Sequence, residues 1–254
     1  MTFAFFSWQT AAACAAYFSA GLIDSICGGG GLITVPVLMA MGTPVHYITG
    51  TNQCSVIAGT VAAIYKYQRS GSIQMKSALI AALTAILGGI LGAKLNMFLP
   101  EKFLEIVMIV LMPLVALLVF LKKDFGESDR SDALSPMQVV CFSCVIGLLG
   151  GAYQGFYGAG SGMLFLLAFA LLMKLDFVRA SGTAKLAMFF AAVSSSATYA
   201  HSGLVIWQIV IAATAFNILG NYIGSTLAIK NGAKVIRPFL FVMIAVLFVT
   251  LILR

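Results

Sequence analysis

The chain has 254 residues, of which 61% are hydrophobic and only 9% charged, with a formal net charge of +7. A water-soluble domain carries roughly 25% charged residues, so this composition excludes a water-facing surface over most of the chain. Nor does the positive charge point to nucleic acid, because Lys and Arg collect in the loops on one side of a membrane and fix its topology.

In chain order, apolar segments run over Phe3–Cys27, Gly31–Met41, Thr49–Tyr65, Ile73–Leu99 and Phe103–Leu121. A hydrophilic stretch, Lys122–Ser135, follows. Five more apolar segments then cover Met137–Tyr157, Gly162–Met173, Gly182–Tyr199, Val205–Ile229 and Pro238–Leu253. Several of these reach the ~20 apolar residues needed to cross the hydrocarbon core. They are uniformly apolar rather than alternating, which argues against a membrane β-barrel. Met1–Ala20 contains no Lys or Arg to make the positive region of a cleaved signal, so the first helix is expected to be retained. The fold expected is an all-α, polytopic transmembrane helix bundle.

The two halves repeat. A shift of 132 residues carries Gly50-Thr51 onto Gly182-Thr183, Tyr67 onto Tyr199, Gly71 onto Gly203, and Gly88 and Gly92 onto Gly220 and Gly224. Upstream, a shift of 130 carries Gly28 and Gly30 onto Gly158 and Gly160. The organisation read from this is a first repeat over 1–121, a hydrophilic cytoplasmic linker over 122–136 and a second repeat over 137–254. The second segment of each half spans only ~17–18 Å at 1.5 Å per residue, too short for a core of roughly 30 Å, and is expected to be a half-helix or re-entrant.

Alternating the loops from an outside N-terminus puts Lys66, Arg69, Lys76, Lys122, Lys123, Arg130, Lys174, Arg179, Lys230, Lys234 and Arg237 inside. Only Lys94, Lys102 and Arg254 fall outside, a strong positive-inside bias with both termini outside. Five segments per half is an odd number, so the second copy must be inverted. Inverted repeats with broken helices are the organisation of secondary transporters.

Four features carry candidate chemistry. The glycines Gly28, Gly29, Gly30 and Gly31 break a helix, and Gly158, Gly160, Ser161 and Gly162 match them in the second half. Irregular backbone at membrane depth is tolerated where protein or a water-filled cavity satisfies it. Each break precedes a short helix, whose N-terminal amides favour an anion; close packing by small residues is the competing reading. Thr51, Asn52 and Gln53, and Thr183 with Lys185, follow the two Gly-Thr pairs, each expected to open a long helix. Lys185 is the one cation well inside an apolar segment. It either binds a substrate anion or, lying near a helix end, snorkels to the surface. Asp24 is the only carboxylate of its helix. It either takes up a proton to couple transport, pairs with Lys185, or caps free amides; its repeat mate, Gln154, cannot titrate.

Asn96, Ser194, Ser195, Ser196, Asn217 and Asn221 either line a path or join helices. Cys14, Cys27, Cys54, Cys141 and Cys144 read as buried thiols, and neither zinc nor redox chemistry is expected. No arrangement of catalytic groups stands out, and neither an enzyme activity nor a cofactor is expected.

These motifs resemble the TauE/SafE family of sulfite exporters, also called the toluene sulfonate uptake permease family. The resemblance rests on Gly21–Pro36, Gly50-Thr51-Asn52 and Tyr67 with Gly71. In the second half it rests on Gly150–Gly162, Ser181–Lys185 and Ser202–Trp207. It implies transport of a small sulfur-containing anion (sulfite, sulfoacetate, thiosulfate or a related organosulfonate) across a bacterial or archaeal inner membrane. Its matching motif positions are the glycine clusters and the two Gly-Thr segments. An alternating-access, ion-coupled transporter is the reading; an anion channel of the same fold and a membrane subunit serving a soluble enzyme are the rivals. Oligomeric state, exact anion and direction are not legible.

Overall fold

A computed structural model of the chain describes residues 8–100, Phe103 and residues 128–252. The expected segment Phe103–Leu121 lies outside these residues but for Phe103, as do Lys122 and Lys123. Among the described residues there are helices and no strands. The helices are α1 (Trp8–Cys27), α2 (Gly31–Ala40), α3 (Val45–Arg69), α4 (Met75–Phe98), α5 (Pro136–Phe156), α6 (Ser161–Leu172), α7 (Phe177–His201), α8 (Trp207–Asn231) and α9 (Ala233–Ile252). By length and composition α4, α5 and α8 qualify as membrane spans.

Local chemistry sets several helix ends. Ser135 and Gln138 form a capping box at the start of α5, with Pro136 at the first helical position. Asp176 caps α7 by accepting from the backbone N–H groups of Val178 and Arg179, at 2.9 and 3.0 Å. The α3–α4 and α7–α8 turns each use a glycine with positive φ, Gly71 at 70° and Gly203 at 71°.

The halves interdigitate. The first helix of each half packs along the fourth helix of the other, α1 on α8 and α5 on α4. The contacts match residue for residue. A Cβ on Gly88 would lie 2.3 Å from Leu148 O and 2.7 Å from Ala152 N. A Cβ on Gly220 would lie 2.1 Å from Phe18 O and 2.8 Å from Leu22 N. Leu148 and Ala152 stand 130 residues after Phe18 and Leu22, and Gly220 stands 132 after Gly88. Small residues let these backbones touch, the usual basis of helix association in lipid.

At the centre α3 meets α7, its own repeat mate. Gly50 lies against Tyr199 and Leu204, and Gly182 lies against Tyr67 and Ser72. The start of each helix therefore meets the end of the other, and the two run antiparallel. A contact set in which i meets j and the mate of j meets the mate of i is isologous, as across a two-fold axis. Antiparallel mates about such an axis are consistent with inverted repeats.

The chain turns back on itself at the first break. A Cβ on Gly30 would lie 2.6 Å from Ala20 O and 2.8 Å from the Asp24 Cβ, so the chain after the break doubles back along α1. The same geometry gathers the cations. The end of α3 (Lys66, Arg69) and the start of α7 meet, with Arg179 paired to Asp129 and the Arg130 N–H bonded to Lys174 O at 2.9 Å. Gly232, after Lys230, lies against Val178. We call this end the basic face. Lys94 lies near His201 at the opposite end, beside an open, largely apolar groove of about 720 Å³.

Candidate functional site

The two helix breaks touch each other. Gly28 has φ +84° and its repeat mate Gly158 has φ +80°, the left-handed region that a side chain resists. Space excludes a side chain as well. A Cβ on Gly28 would lie 2.1 Å from Gly162 C, and one on Gly162 would lie 2.5 Å from Gly28 Cα. The Met163 N–H donates to Gly28 O at 3.1 Å, tying one break to the other.

Beside this contact lies a cavity of about 20 Å³. That is room for about one water and not for a multi-atom anion. Asp24, Gly30, Gly31, Asn52, Gln53, Gly158 and Ser161 line it. Gln154, Thr60, Met188 and Asn217 complete the polar and soft part of its wall. Gly28, Gly29, Gly160 and Gly162 shape the breaks but are not among the lining residues.

Lys185 donates from Nζ to Asp24 Oδ2 at 2.5 Å. The lysine side chain is 2% exposed and the carboxylate 13%. Lys185 therefore does not snorkel; it is the ninth residue of α7 and is held by a carboxylate that lines the cavity. Of the three roles open to Asp24 in the sequence, pairing is the one seen. Across the cavity Gln53 Nε2 donates to the backbone oxygen of Gln154, and Gln154 Nε2 donates to Met188 O at 2.9 Å and reaches Gln53 Oε1 at 3.4 Å. Gln154 Oε1 is buried with no hydrogen-bond partner among the described residues. Asn52 Oδ1 accepts from the Thr34 hydroxyl at 2.7 Å.

The two Gly-Thr segments require a correction. They do not open helices: α3 begins at Val45 and α7 at Phe177, five residues before Gly50 and Gly182. Their amides are spent inside the helices. The Thr51 hydroxyl accepts from the Ile206 N–H at 3.0 Å, and the Thr183 hydroxyl accepts from the Gln74 N–H at 3.0 Å. Both threonines cap the loop of the other half and neither lines the cavity. The start of α6 is also partly satisfied, since Ser161 N bonds to Gly158 O at 3.2 Å and Met163 N to Gly28 O.

Of the minor polar residues, Asn96 and Asn217 join helices, whereas Ser194, Ser195 and Asn221 bond within their own helices. Asn96 donates to Phe156 O at 2.6 Å and meets His46 at 3.0 Å, and Asn217 donates to Tyr17 O at 3.2 Å. Gln154, which the sequence marks only as the mate of Asp24 that cannot titrate, bridges to Gln53 at the cavity. The signal was present, because the 132-residue offset that pairs Thr51 with Thr183 also pairs Gln53 with Lys185.

The family model described as Sulfite exporter TauE/SafE matches residues 13–251. A probable membrane transporter protein, ORF9, of Sinorhizobium sp is 33% identical over 89% of this chain and 85% of its own length. A probable membrane transporter protein of Haemophilus influenzae is 28% identical, over 89% of this chain and 88% of its own. The probable membrane transporter protein YfcA of Escherichia coli K12 is 29% identical, over 90% and 84%.

Proposed function

The chain belongs to the sulfite exporter TauE/SafE family and is a membrane transporter, and from this we propose that it carries a small sulfur-containing anion by alternating access. Sulfite, sulfoacetate, thiosulfate and related organosulfonates are the substrate class. The single observation that carries the reading is the buried Lys185 cation, held by one carboxylate at a cavity between two touching helix breaks.

A lysine at membrane depth is costly unless a counter-charge stays with it. A substrate anion supplies one. Donors for its remaining oxygens stand around the same space: the amides of Gln53 and Gln154 and the Ser161 hydroxyl. The cavity's small size supports a carrier caught closed rather than an open pore. Movement of the two breaks against the long helices α3 and α7 would enlarge it toward one face and then the other. Asp24 is the coupling group in this reading, releasing Lys185 when a proton or another cation neutralises it. The chain sits multi-pass in the inner or plasma membrane of a bacterium or archaeon, with the basic face cytoplasmic and both termini outside.

Purified protein in proteoliposomes tests this. Labelled sulfite, thiosulfate and sulfoacetate are offered with and without a proton gradient. Gradient-driven accumulation of at least one of them is expected, with loss in Lys185→Gln. Purely downhill flux would favour the channel, and unchanged flux in Lys185→Gln would remove the lysine from the site.

A further inference from the structure

The two bridges beside the cavity occupy the same positions in the two repeats. Gln154 stands 130 residues after Asp24, and Lys185 stands 132 after Gln53. Asp24–Lys185 links the break-bearing helix of the first half to the long helix of the second. Gln154–Gln53 links the break-bearing helix of the second half to the long helix of the first. One is an ion pair; the other is a neutral bridge, in which Gln53 Nε2 donates to the main-chain oxygen of Gln154 and the two side-chain amides meet at 3.4 Å. Lys185 is eight residues from the start of α7, which lies on the basic face. Gln53 is eight residues from the start of α3, at the opposite face. The bridges therefore flank the cavity, one toward each side.

We infer that these bridges are the two latches of the transport cycle, and that the substrate anion opens only the charged one, by taking the place of Asp24 on Lys185. This rests on the anion-transport reading above. To open the cavity toward the basic face, α1 with its break must part from α7, and the only ionic contact among the described residues holding them is Asp24–Lys185. Parting them in an empty site leaves both charges poorly compensated, which strongly opposes opening. An anion on Lys185 removes half of that penalty. The charge count then decides what travels with it. The closed pair is neutral, so a monovalent anion leaves one net negative charge unless a proton or a monovalent cation enters for Asp24. A dianion requires two. The amide latch carries no charge; it breaks and reforms with hydrogen bonds alone, and it is indifferent to the charge of the cargo.

Two repeat-related positions report on the latches. Ser181 and Thr49 lie one turn before Lys185 and Gln53 and are 3% and 2% exposed. In full-length protein with the five native cysteines replaced, S181C and T49C are labelled with a membrane-impermeant thiol reagent. Sulfite, thiosulfate and sulfoacetate are the probes, with binding read by thermal shift. With the competitor removed, Asp24→Asn should bind the active probe at least tenfold more tightly than wild type. It should also expose S181C without any anion, leaving T49C protected. Unchanged affinity in Asp24→Asn overturns the inference while leaving anion binding intact. If no probe binds wild type, or Lys185→Gln binds as well as wild type, the transport reading itself falls.

Should Asp24→Asn fail to fold, the double variant Asp24→Gln with Lys185→Gln copies the bridge that the other half already contains. It should fold and keep S181C protected whether or not anion is present. Labelling of S181C that still rises with anion in that variant overturns the inference.

Discussion

Lys185 Nζ lies 2.5 Å from Asp24 Oδ2, across 161 residues of sequence, with the lysine 2% exposed. The pair joins the two halves of the chain at the cavity wall, and its energetics can be separated from its role in transport. Lys185→Met keeps most of the packing volume and strands the carboxylate. Such a loss of one partner of a buried pair costs about 3–5 kcal/mol, whereas replacing both by apolar groups of similar volume is often neutral. Thermal unfolding in detergent should show a large loss for Lys185→Met and recovery of most of it in Lys185→Met with Asp24→Leu. Equal losses in the single and double variants would mean that the pair contributes no coupling.

The glycine contact at the centre predicts a sharp contrast between positions that share a positive φ. Gly28→Ala forces a methyl to 2.1 Å from backbone that cannot yield. It should abolish recovery of monodisperse protein. Gly71→Ala has a φ of +70° but nothing within 4 Å of the new Cβ. It should cost only ~1–2 kcal/mol of backbone strain. Size-exclusion profiles and melting temperatures of the two variants make the comparison.

Tyr67 and Tyr199 test the internal two-fold. Their hydroxyls donate to Ser25 O at 2.7 Å and Gly155 O at 2.8 Å, repeat-related acceptors near opposite faces. Both side chains are buried. Tyr67→Phe and Tyr199→Phe should each lower stability by ~1–2 kcal/mol, the cost of a buried carbonyl left without its donor. Losses that differ several-fold would show that the two ends are not energetically equivalent.

Thr51→Val and Thr183→Val separate loop capping from substrate contact. Each removes the acceptor for one backbone N–H, of Ile206 or Gln74. A loss of ~1 kcal/mol in stability with unchanged anion affinity is expected. A selective fall in affinity at full stability would put the hydroxyls in the site.

The linker supplies a pH-dependent contact on the basic face. Burial pushes the Asp129 carboxyl up, but the Ser131 N–H and hydroxyl and the Arg179 guanidinium outweigh it and hold the group below its ordinary value. A lowered value in the folded chain means a contribution present above the unfolded-state carboxylate range and lost as pH falls through the lower folded value. Both partners are partly exposed, so the effect is small. Limited proteolysis of the linker should quicken as the pH drops below the carboxylate range, and Asp129→Asn should cleave at the fast rate at every pH.

Much of this molecule was legible in one dimension because a bilayer imposes simple rules. Apolar runs such as Ile73–Leu99 must become helices, since lipid offers no partner for free backbone groups. The Lys and Arg positions divide the loops into two sets, and in the fold Arg179 pairs with Asp129, the Arg130 N–H bonds to Lys174 O and Gly232 lies against Val178 at one end of the bundle. The offsets of 130 and 132 are visible in the sequence at packing glycines and at Tyr67 and Tyr199, and the matching contacts of these residues are consistent with inverted repeats. The long helices start before the boundaries that Gly50 and Gly182 suggest, because Pro44 and Asp176 stand ahead of the first turns.

What sequence alone determined was the environment, the helices, the repeat and the short list of polar residues at membrane depth. Tertiary structure decided which of them meet. Whether Lys185 reaches water or Asp24 depends on how α7 crosses α1, a long-range contact that no local pattern encodes. The same crossing at the repeat-related place joins Gln53 to Gln154. One crossing carries charge and the other does not because the side chains at the matching positions differ, and only the folded chain sets the two pairs side by side.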